Sequence, residues 1–133
     1  MNLLLDTCSF LWALHSPEKL SAPARKALLS PAHAVRVSVV TFWEISLKSG
    51  LGKLTLRGID PEDYPARAVE AGWSVHPLDP DLAASAGRLP RLEGHRDPFD
   101  RLLIWTAIQE GSSLVSGDQA FAGYVPHGLK LCW

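Results

Sequence analysis

The sequence predicts an α/β fold built around a mainly parallel β-sheet. Short apolar runs alternate along the chain with segments of helical periodicity, which is the pattern that βαβ units produce. The first apolar run ends in an acidic residue, Asp6. Open α/β sheets bind their ligands beyond the carboxyl ends of their strands, where such a residue would lie. The length of 133 residues, without repeats or a long linker, predicts one domain over residues 1–133.

The first strand and the first helix are predicted from a change of pattern after Asp6. Residues 3–6 are an apolar run that ends in this acid, and they predict a buried strand. Residues 7–15 predict a helix, because Phe10 and Leu14 recur on one side at helical spacing.

A second helix, a second strand and a third helix follow. The second helix begins at Ser21, a residue type that caps helix N-termini, and continues through residue 28. Residues 34–39 alternate apolar and polar side chains, which predicts a strand. The third helix contains the apolar positions of segment 42–47 and ends near Gly50.

The middle of the chain predicts two more helices with a strand between them. Asp60 followed by Pro61 has the form of an N-cap and a first helical residue, and this helix should end at Gly72. Residues 73–77 predict the third strand, and residues 80–89 predict a helix.

The last third of the chain predicts one long helix and two strands. A polar loop covers residues 90–96, and Asp97 followed by proline then opens a helix that ends at Gly111. This helix is apolar almost all round, so we expect it to be well buried. Residues 113–116 and 129–133 predict the fourth and fifth strands.

Composition excludes several classes of protein. The chain is 47% hydrophobic and 20% charged, with a net charge of −1. This net charge argues against a strongly basic nucleic-acid binder, but it is compatible with an enzyme that acts on nucleic acid. No apolar stretch approaches the roughly 20 residues that span a membrane, and the N-terminus lacks a secretory pattern, so we expect a cytoplasmic protein. The two cysteines, Cys8 and Cys132, match no metal spacing, which predicts a reduced pair and disfavours zinc.

Four acids stand where an apolar run meets a polar break. They are Asp6, Glu44, Asp100 and Asp118. Asp6 and Asp118 follow strands, so they should meet at one edge of a parallel sheet, and the first turns of helices would supply the other two. Carboxylate ligands suit Mg²⁺ or Mn²⁺. Two such ions about 4 Å apart activate water and stabilise a leaving oxygen, so the pattern favours phosphodiester hydrolysis. No Ser–His–Asp set, Cys–His set, GxGxxG motif or P-loop is apparent.

Each of these acids also has a structural interpretation. Asp6 could simply cap the first helix. Glu44 follows Thr41 at the spacing of a capping box and precedes Lys48 at the spacing of a helical ion pair.

The same holds for the acids of the later segments. Asp97 is best explained as an N-cap, and Asp100 falls in a first helical turn, where the helix dipole favours an acid. Asp118 could be a turn residue after Gly117.

Four blocks of the sequence together resemble the PIN domain, and most closely the bacterial VapC-type toxins of toxin–antitoxin modules. The blocks are residues 3–7, 37–45, 95–104 and 114–121. They occur in the family's order and at its separations, so the resemblance covers essentially the whole chain.

The resemblance implies a three-layer α/β/α sandwich with a mainly parallel central sheet and a Mg²⁺- or Mn²⁺-dependent endoribonuclease activity on RNA. It implies that Asp6, Glu44, Asp100 and Asp118 form the catalytic, metal-binding cluster. It also implies a homodimer and inhibition by a small antitoxin, which typically inserts a segment near the active site.

Two positions depart from the subgroup's pattern. Cys8 stands where a histidine is common, and Trp105 stands where a small residue is usual, so it would need extra room in the packing. Trp12 and Trp43 are predicted to lie in the core, whereas Trp133 could pack under the sheet or at a dimer contact.

Several polar residues near the blocks are candidates for supporting roles. Lys48, His95, Arg96 and Arg101 could contact phosphates, with solvated surface charge as the alternative. Ser116 could bond to a metal-bound water or to the carboxylate of Asp118.

Two other functions remain open from the sequence. A phosphoryl-accepting domain or phosphatase also uses a strand-end aspartate with Mg²⁺, although Asp6 has no second acid two residues later and Lys130 is poorly placed for a receiver. A PIN-like binding module without activity is the other, and the presence of all four acids speaks against it.

Overall fold

The computed structural model of the protein describes residues 1–133 and contains one five-stranded sheet in which all paired strands are parallel. The strands are β1 (Asn2–Leu5), β2 (Ala34–Ser38), β3 (Ser74–His76), β4 (Ser113–Val115) and β5 (Lys130–Cys132). The α-helices are α1 (Thr7–His15), α2 (Ala22–Leu29), α3 (Val39–Gly50), α4 (Tyr64–Glu70), α5 (Pro80–Ser85) and α6 (Pro98–Glu110). The predicted α/β class with a parallel sheet is confirmed. Strand β1 has the predicted length but begins and ends one residue earlier, and each of the other strands is one or two residues shorter than predicted.

The order of the strands places a ligand-binding crevice beside β1. The order is β3-β2-β1-β4-β5, so the chain moves outwards from β1 to β3 and then returns to the other side of β1. The direction of progression therefore reverses between β1 and β4, and open α/β sheets bind ligands at such a point. Asp6 follows β1 directly, and its backbone N–H donates to the carbonyl of Val115 at the end of β4 over 3.1 Å. The first acid is thus held at the crevice by the sheet itself.

Both faces of the central strand are buried, which accounts for its continuous apolar sequence. Leu3 and Leu5 belong to a core on one face of the sheet, whereas Leu4 belongs to a second core on the other face. Helices α1, α2, α3 and α4 supply residues to the first core, among them Phe10, Ala24, Ile45 and Tyr64. Helix α6 and the segment after β4 supply the second core, among them Leu103, Ile104, Phe121 and Tyr124. The result is the three-layer sandwich that the resemblance implied.

Two helix ends that depend on local chemistry agree with the predictions. Ser21 caps α2, since its Oγ accepts from the N–H of Ala24 at 3.1 Å. Gly111 ends α6 in the left-handed region with φ = 67°, which glycine adopts without the steric cost of a Cβ.

Two predicted helices are broken in the structure. The segment expected to run from Asp60 to Gly72 forms a 3₁₀ turn at Pro61–Asp63 before α4, and Asp60 makes no side-chain cap. Pro65 lacks an N–H, so a continuous hydrogen-bond ladder cannot run through this segment.

The second broken helix and one segment that was not predicted also contain 3₁₀ structure. The helix predicted over residues 80–89 divides into α5 and a 3₁₀ turn at Ala86–Arg88, where Gly87 lowers the helix propensity. A 3₁₀ segment at Gln119–His127 was not predicted, because Gly123 and Pro126 are typical of a loop.

The prediction for Trp43 was wrong, since this side chain is 58% exposed on α3, and Trp12 is only partly buried. Trp105 is accommodated between α6 and α5, where its Nε1–H donates to Ser85 Oγ at 3.1 Å.

The helices are all too short or too polar to cross a lipid bilayer.

Candidate metal centre

Asp6 is buried at the carboxyl end of β1, with 4% of its surface exposed. Its Oδ1 accepts from the backbone N–H of Ser9 at 2.7 Å, so the capping role considered from the sequence is present. Burial raises the pKa of the Asp6 carboxyl, against the hydrogen bonds from Ser116 and Ser9, and the negative charge of Asp118 raises it further. Asp6 is therefore a fixed carboxylate that lacks a cation partner.

Glu44 lies on α3 and is also buried, with 5% of its surface exposed. Its Oε1 accepts from Thr7 Oγ1 at 2.6 Å, which links α3 to the start of α1. Because the proton of Thr7 is used in this way, the hydroxyl of Thr41, 3.1 Å from Thr7 Oγ1, is left to donate to Thr7. The first turn of α1 thus orients Glu44 towards the end of β1.

The capping-box interpretation of Glu44 was wrong. Helix α3 begins earlier than that spacing requires, because Ser38 is its N-cap and accepts from the N–H of Val40 at 3.0 Å. Thr41 is therefore inside the helix. The ion pair with Lys48 is present, since its Nζ donates to Glu44 Oε2.

Lys48 also binds a second carboxylate, which sequence reasoning had not placed in the site. Its Nζ lies 3.0 Å from Asp97 Oδ2. Partial burial alone would lower the pKa of the Lys48 ammonium, but its hydrogen bonds and ion pairs with Glu44 and Asp97 raise it. Lys48 is therefore a permanent cation that connects α3 to the N-terminus of α6.

Asp97 has two functions at once. Its Oδ1 caps α6 by accepting from the N–H groups of Phe99 at 2.9 Å and Asp100 at 3.1 Å. Burial raises the pKa of the Asp97 carboxyl, but these backbone hydrogen bonds and Lys48 outweigh that effect, and the pKa is lowered overall. Asp97 had been interpreted as an N-cap alone, and its spacing of three residues from Asp100 was the sequence signal for a shared site.

Asp100 lies on the first turn of α6 without a lysine or arginine partner. The nearest basic atom is His95 Nε2, at 3.8 Å from Asp100 Oδ2. Burial, followed by the charges of Asp97, Glu44 and Asp6, raises the pKa of the Asp100 carboxyl to about 7. These causes place Asp100 in the same electrostatic neighbourhood as the other three acids.

The structure brings three carboxylates into the tightest group. Ligand oxygens of Glu44, Asp97 and Asp100 all lie within 4.8 Å of one another. Asp6 is outside this group, but its charge acts on Asp100.

Asp118 is the most exposed of the four predicted acids. Its Oδ1 accepts from the N–H of Ala120 at 2.9 Å and so caps the 3₁₀ segment, which is the turn role considered from the sequence. Its own N–H donates to Ser116 Oγ at 3.2 Å, so Ser116 contacts the backbone of Asp118 and not its carboxylate. The charge of Asp118 acts on the carboxyl of Asp6. Asp118 thus stands at the rim of the crevice, beside Asp6.

The donor set fits a hard divalent cation. Five carboxylates share this edge of the sheet, and Lys48 is the one basic side chain that pairs with them at hydrogen-bonding distance. Several negative charges that are out of water and uncompensated are unfavourable without a cation. All the candidate ligands are oxygen atoms, which Mg²⁺ and Mn²⁺ prefer.

Cys8 lies close to these acids, although much of the residue is exposed to solvent. Desolvation of its thiol, followed by the charges of Asp6, Asp100 and Glu44, raises the pKa of the thiol to about 11. The Cys8 thiol is therefore sensitive to the charge of the cluster beside it.

Arg101, one of the residues predicted to contact phosphate, instead binds the protein's own backbone. Its guanidinium donates to the carbonyls of Leu89 at 2.7 Å and Pro90 at 3.0 Å, and so fixes the loop before α6. Arg96 is exposed beside a groove of about 780 Å³ that Arg91 also lines.

A parallel sheet with buried and partly buried carboxylates gathered beyond its central strands defines an α/β protein with a candidate divalent-metal centre. Family comparison narrows this class, because the PIN domain family matches residues 3–124. The chain belongs to the PIN domain family.

The solved structures with the same fold include VapBC proteins, which are described as a family of toxin–antitoxin systems. VapBC2 of Rickettsia felis, bound to a promoter DNA fragment, is 17% identical with a TM-score of 0.65, over 98% of this chain and 97% of that one. DNA-bound VapBC of Salmonella typhimurium is 18% identical with a TM-score of 0.66, over 98% and 96%. VapBC-5 of Mycobacterium tuberculosis is 21% identical with a TM-score of 0.55, over the same shares. These likenesses establish the fold. A comparison with curated proteins gives no significant match.

Proposed function

We propose that this protein is the toxin of a type II toxin–antitoxin system and acts as a Mg²⁺- or Mn²⁺-dependent endoribonuclease. The observation that carries the proposal is the cluster of carboxylates beyond β1 and β4, of which only two are paired with Lys48. Membership of the PIN family and the likeness to VapBC structures support it.

The residues of the cluster divide into two groups with different tasks. Lys48 engages Glu44 and Asp97, so it joins α3 to the N-terminus of α6. Asp6 and Asp100 lack such a partner and are the direct ligands in this proposal. Glu44 and Asp118 complete the site, directly or through ordered water.

A bound divalent cation supplies Lewis acidity for phosphodiester hydrolysis and makes water a better nucleophile. The chain contributes orientation. Asp6 is fixed by Ser9, Glu44 is fixed by Thr7, and Asp100 is carried on the rigid first turn of α6. None of these carboxylates needs to act as a separate general base.

We propose RNA as the substrate and a protein antitoxin as the partner. Arg91 and Arg96 line the groove beside the N-terminus of α6, where a polyanion would gain from their charge. A second feature is an apolar patch around Trp43 and Phe99 that a protein partner, either an antitoxin or a second subunit, would cover.

RNA cleavage by the purified chain tests the proposal. We expect cleavage with MgCl₂ or MnCl₂, none with EDTA, and a loss of at least about 100-fold in Asp100→Asn, as expected for a charged group at a reacting centre. Asp81→Asn is the matched control, because Asp81 is exposed in the first turn of α5.

The other outcomes separate the remaining functions. Metal binding in calorimetry without cleavage of any RNA would favour an inactive binding module. An acyl phosphate on Asp6 after incubation with a phosphoryl donor would favour a phosphoryl-accepting domain. Equal cleavage by Asp100→Asn and the unsubstituted protein would overturn the proposed site.

A further inference from the structure

His95 has one satisfied and one unsatisfied ring nitrogen, although the residue is only 9% exposed. Its Nδ1 lies 2.8 Å from the hydroxyl of Tyr124. Its Nε2 is buried without a hydrogen-bond partner, and the nearest carboxylate oxygen, Asp100 Oδ2, is 3.8 Å away. The ring is clamped by Phe121 and Tyr124, each with a centroid distance of 5.3 Å, so it is held in this orientation.

The hydrogen bonds of Tyr124 determine which nitrogen of His95 is protonated. Arg101 Nη1 lies 3.3 Å from the Tyr124 hydroxyl, and a guanidinium can only donate. The hydroxyl therefore accepts from Arg101, and the acceptor available for its own proton is His95 Nδ1. A neutral imidazole that accepts at Nδ1 has its proton on Nε2.

Arg101 is itself fixed, so this order of donors and acceptors is built into the fold. The guanidinium also donates to the carbonyls of Leu89 and Pro90. Arg101 directly follows Asp100 in α6, so the network begins and ends on the same helical turn.

We propose that His95 is a positioning residue for Asp100, whose Oδ2 accepts from the Nε2–H that Tyr124 imposes. The separation of 3.8 Å is longer than a hydrogen bond, and a side-chain adjustment of less than about 1 Å closes it. A donor on one oxygen of Asp100 leaves the other oxygen directed at the cation. Partners of this kind orient metal ligands in many proteins. The inference deepens the proposed function and rests on it.

The first test concerns the tautomer in the metal-free, unsubstituted chain. Two-bond ¹H–¹⁵N correlation spectra at pH 8 distinguish an imidazole protonated on Nε2 from one protonated on Nδ1, and loss of the signal in His95→Gln assigns it. We expect the Nε2–H form in the unsubstituted chain and a mixture of both forms in Tyr124→Phe, which lacks the hydroxyl donor. An Nδ1–H form in the unsubstituted chain overturns the proposal.

The second test uses a pair of variants that place an amide nitrogen at different points. Gln at position 95 can put its nitrogen where Nε2 was, whereas Asn can reach only the position of Nδ1. We expect Mn²⁺ affinity in calorimetry to fall by less than about threefold in His95→Gln and by about tenfold or more in His95→Asn, the range found when a ligand loses its supporting hydrogen bond. The exposed His127→Asn is the control.

Equal losses in both variants, or no loss in either, overturn the donor role. Thermal unfolding reports whether each variant is folded, and the spectra of the unsubstituted chain decide the tautomer even where a variant is not. If the tautomer and the metal affinities behave as expected but no RNA is cleaved, the proposed function fails and the role of His95 in the metal site stands.

Discussion

Lys48 and Asp97 form an ion pair of 3.0 Å that joins the last turn of α3 to the N-cap of α6. The same ammonium binds Glu44, so one lysine neutralises two of the carboxylates and leaves the others free for a cation. Lys48 thus offsets part of the repulsion between the carboxylates. This pairing makes the contribution of Lys48 to stability measurable.

Replacing Lys48 by methionine should destabilise the metal-free protein by about 1–3 kcal/mol, because the buried Glu44 would lose its charged partner. Urea unfolding followed by circular dichroism measures the effect. MgCl₂ should recover more stability in Lys48→Met than in the unsubstituted chain, since the cation can take over part of the lost compensation. The exposed Lys53→Met is the control, and an equal loss there would contradict the assignment.

Asp97 also shows where sequence reasoning ends. Its capping role is local, so the pair Asp97–Pro98 was enough to predict it, as Ser21 was for α2. Its contact with Lys48 joins two residues that lie 49 positions apart in the chain, at two different helices. No local sequence pattern specifies that approach.

The other errors have the same origin. The apolar composition of α3 does not reveal which side faces solvent, so Trp43 was assigned to the core although it is exposed. The parallel sheet was predictable from the βαβ pattern, but the switch of strand order between β1 and β4 depends on packing across the whole molecule. The acids at the ends of both strands were predictable because each closes an apolar run.

The contribution of Asp100 to the stability of the metal-free protein should fall as the pH rises from about 4 to 7. The pKa of Asp100 is raised to about 7 in the folded chain, whereas an unfolded aspartate titrates near 3.9. The unfolded state therefore releases this proton first, and the penalty is complete above pH 7. Replacement by asparagine removes the penalty, so Asp100→Asn should be more stable than the unsubstituted protein by about 2–4 kcal/mol at pH 8 and nearly equal at pH 4.

Urea unfolding at both pH values, in the presence of EDTA, provides the measurement. Asp81→Asn should show no such dependence on pH, because Asp81 is exposed. A metal-free Asp100→Asn protein that is no more stable than the unsubstituted one at pH 8 would show that neither burial nor the neighbouring acids penalise the Asp100 carboxylate.

Gly117 should not accept even one methyl group. A Cβ there would lie 2.5 Å from Trp133 Cζ2 and 2.6 Å from Cε2, so the indole or the turn before Asp118 must move. We expect Gly117→Ala to cost about 1–3 kcal/mol through overpacking. Trp133→Ala in the same chain should recover most of that cost, and a double-mutant cycle by urea unfolding measures the coupling. Additive effects of the two substitutions would show that the clash is relieved elsewhere.

Two substitutions of Asp6 should separate the helix-capping role of its carboxylate from its role in the proposed metal site. Its Oδ1 caps α1, and asparagine caps helices about as well as aspartate, whereas alanine loses the hydrogen bond to Ser9. Asp6→Ala should therefore lose about 0.5–2 kcal/mol of cap stability relative to Asp6→Asn, as measured by thermal or urea unfolding in EDTA. Both variants should lose Mn²⁺ binding and RNA cleavage to a similar extent, because both lack the negative charge. If Asp6→Asn retained full cleavage while Asp6→Ala did not, the activity would follow the helix cap, and Asp6 would have no role as a ligand.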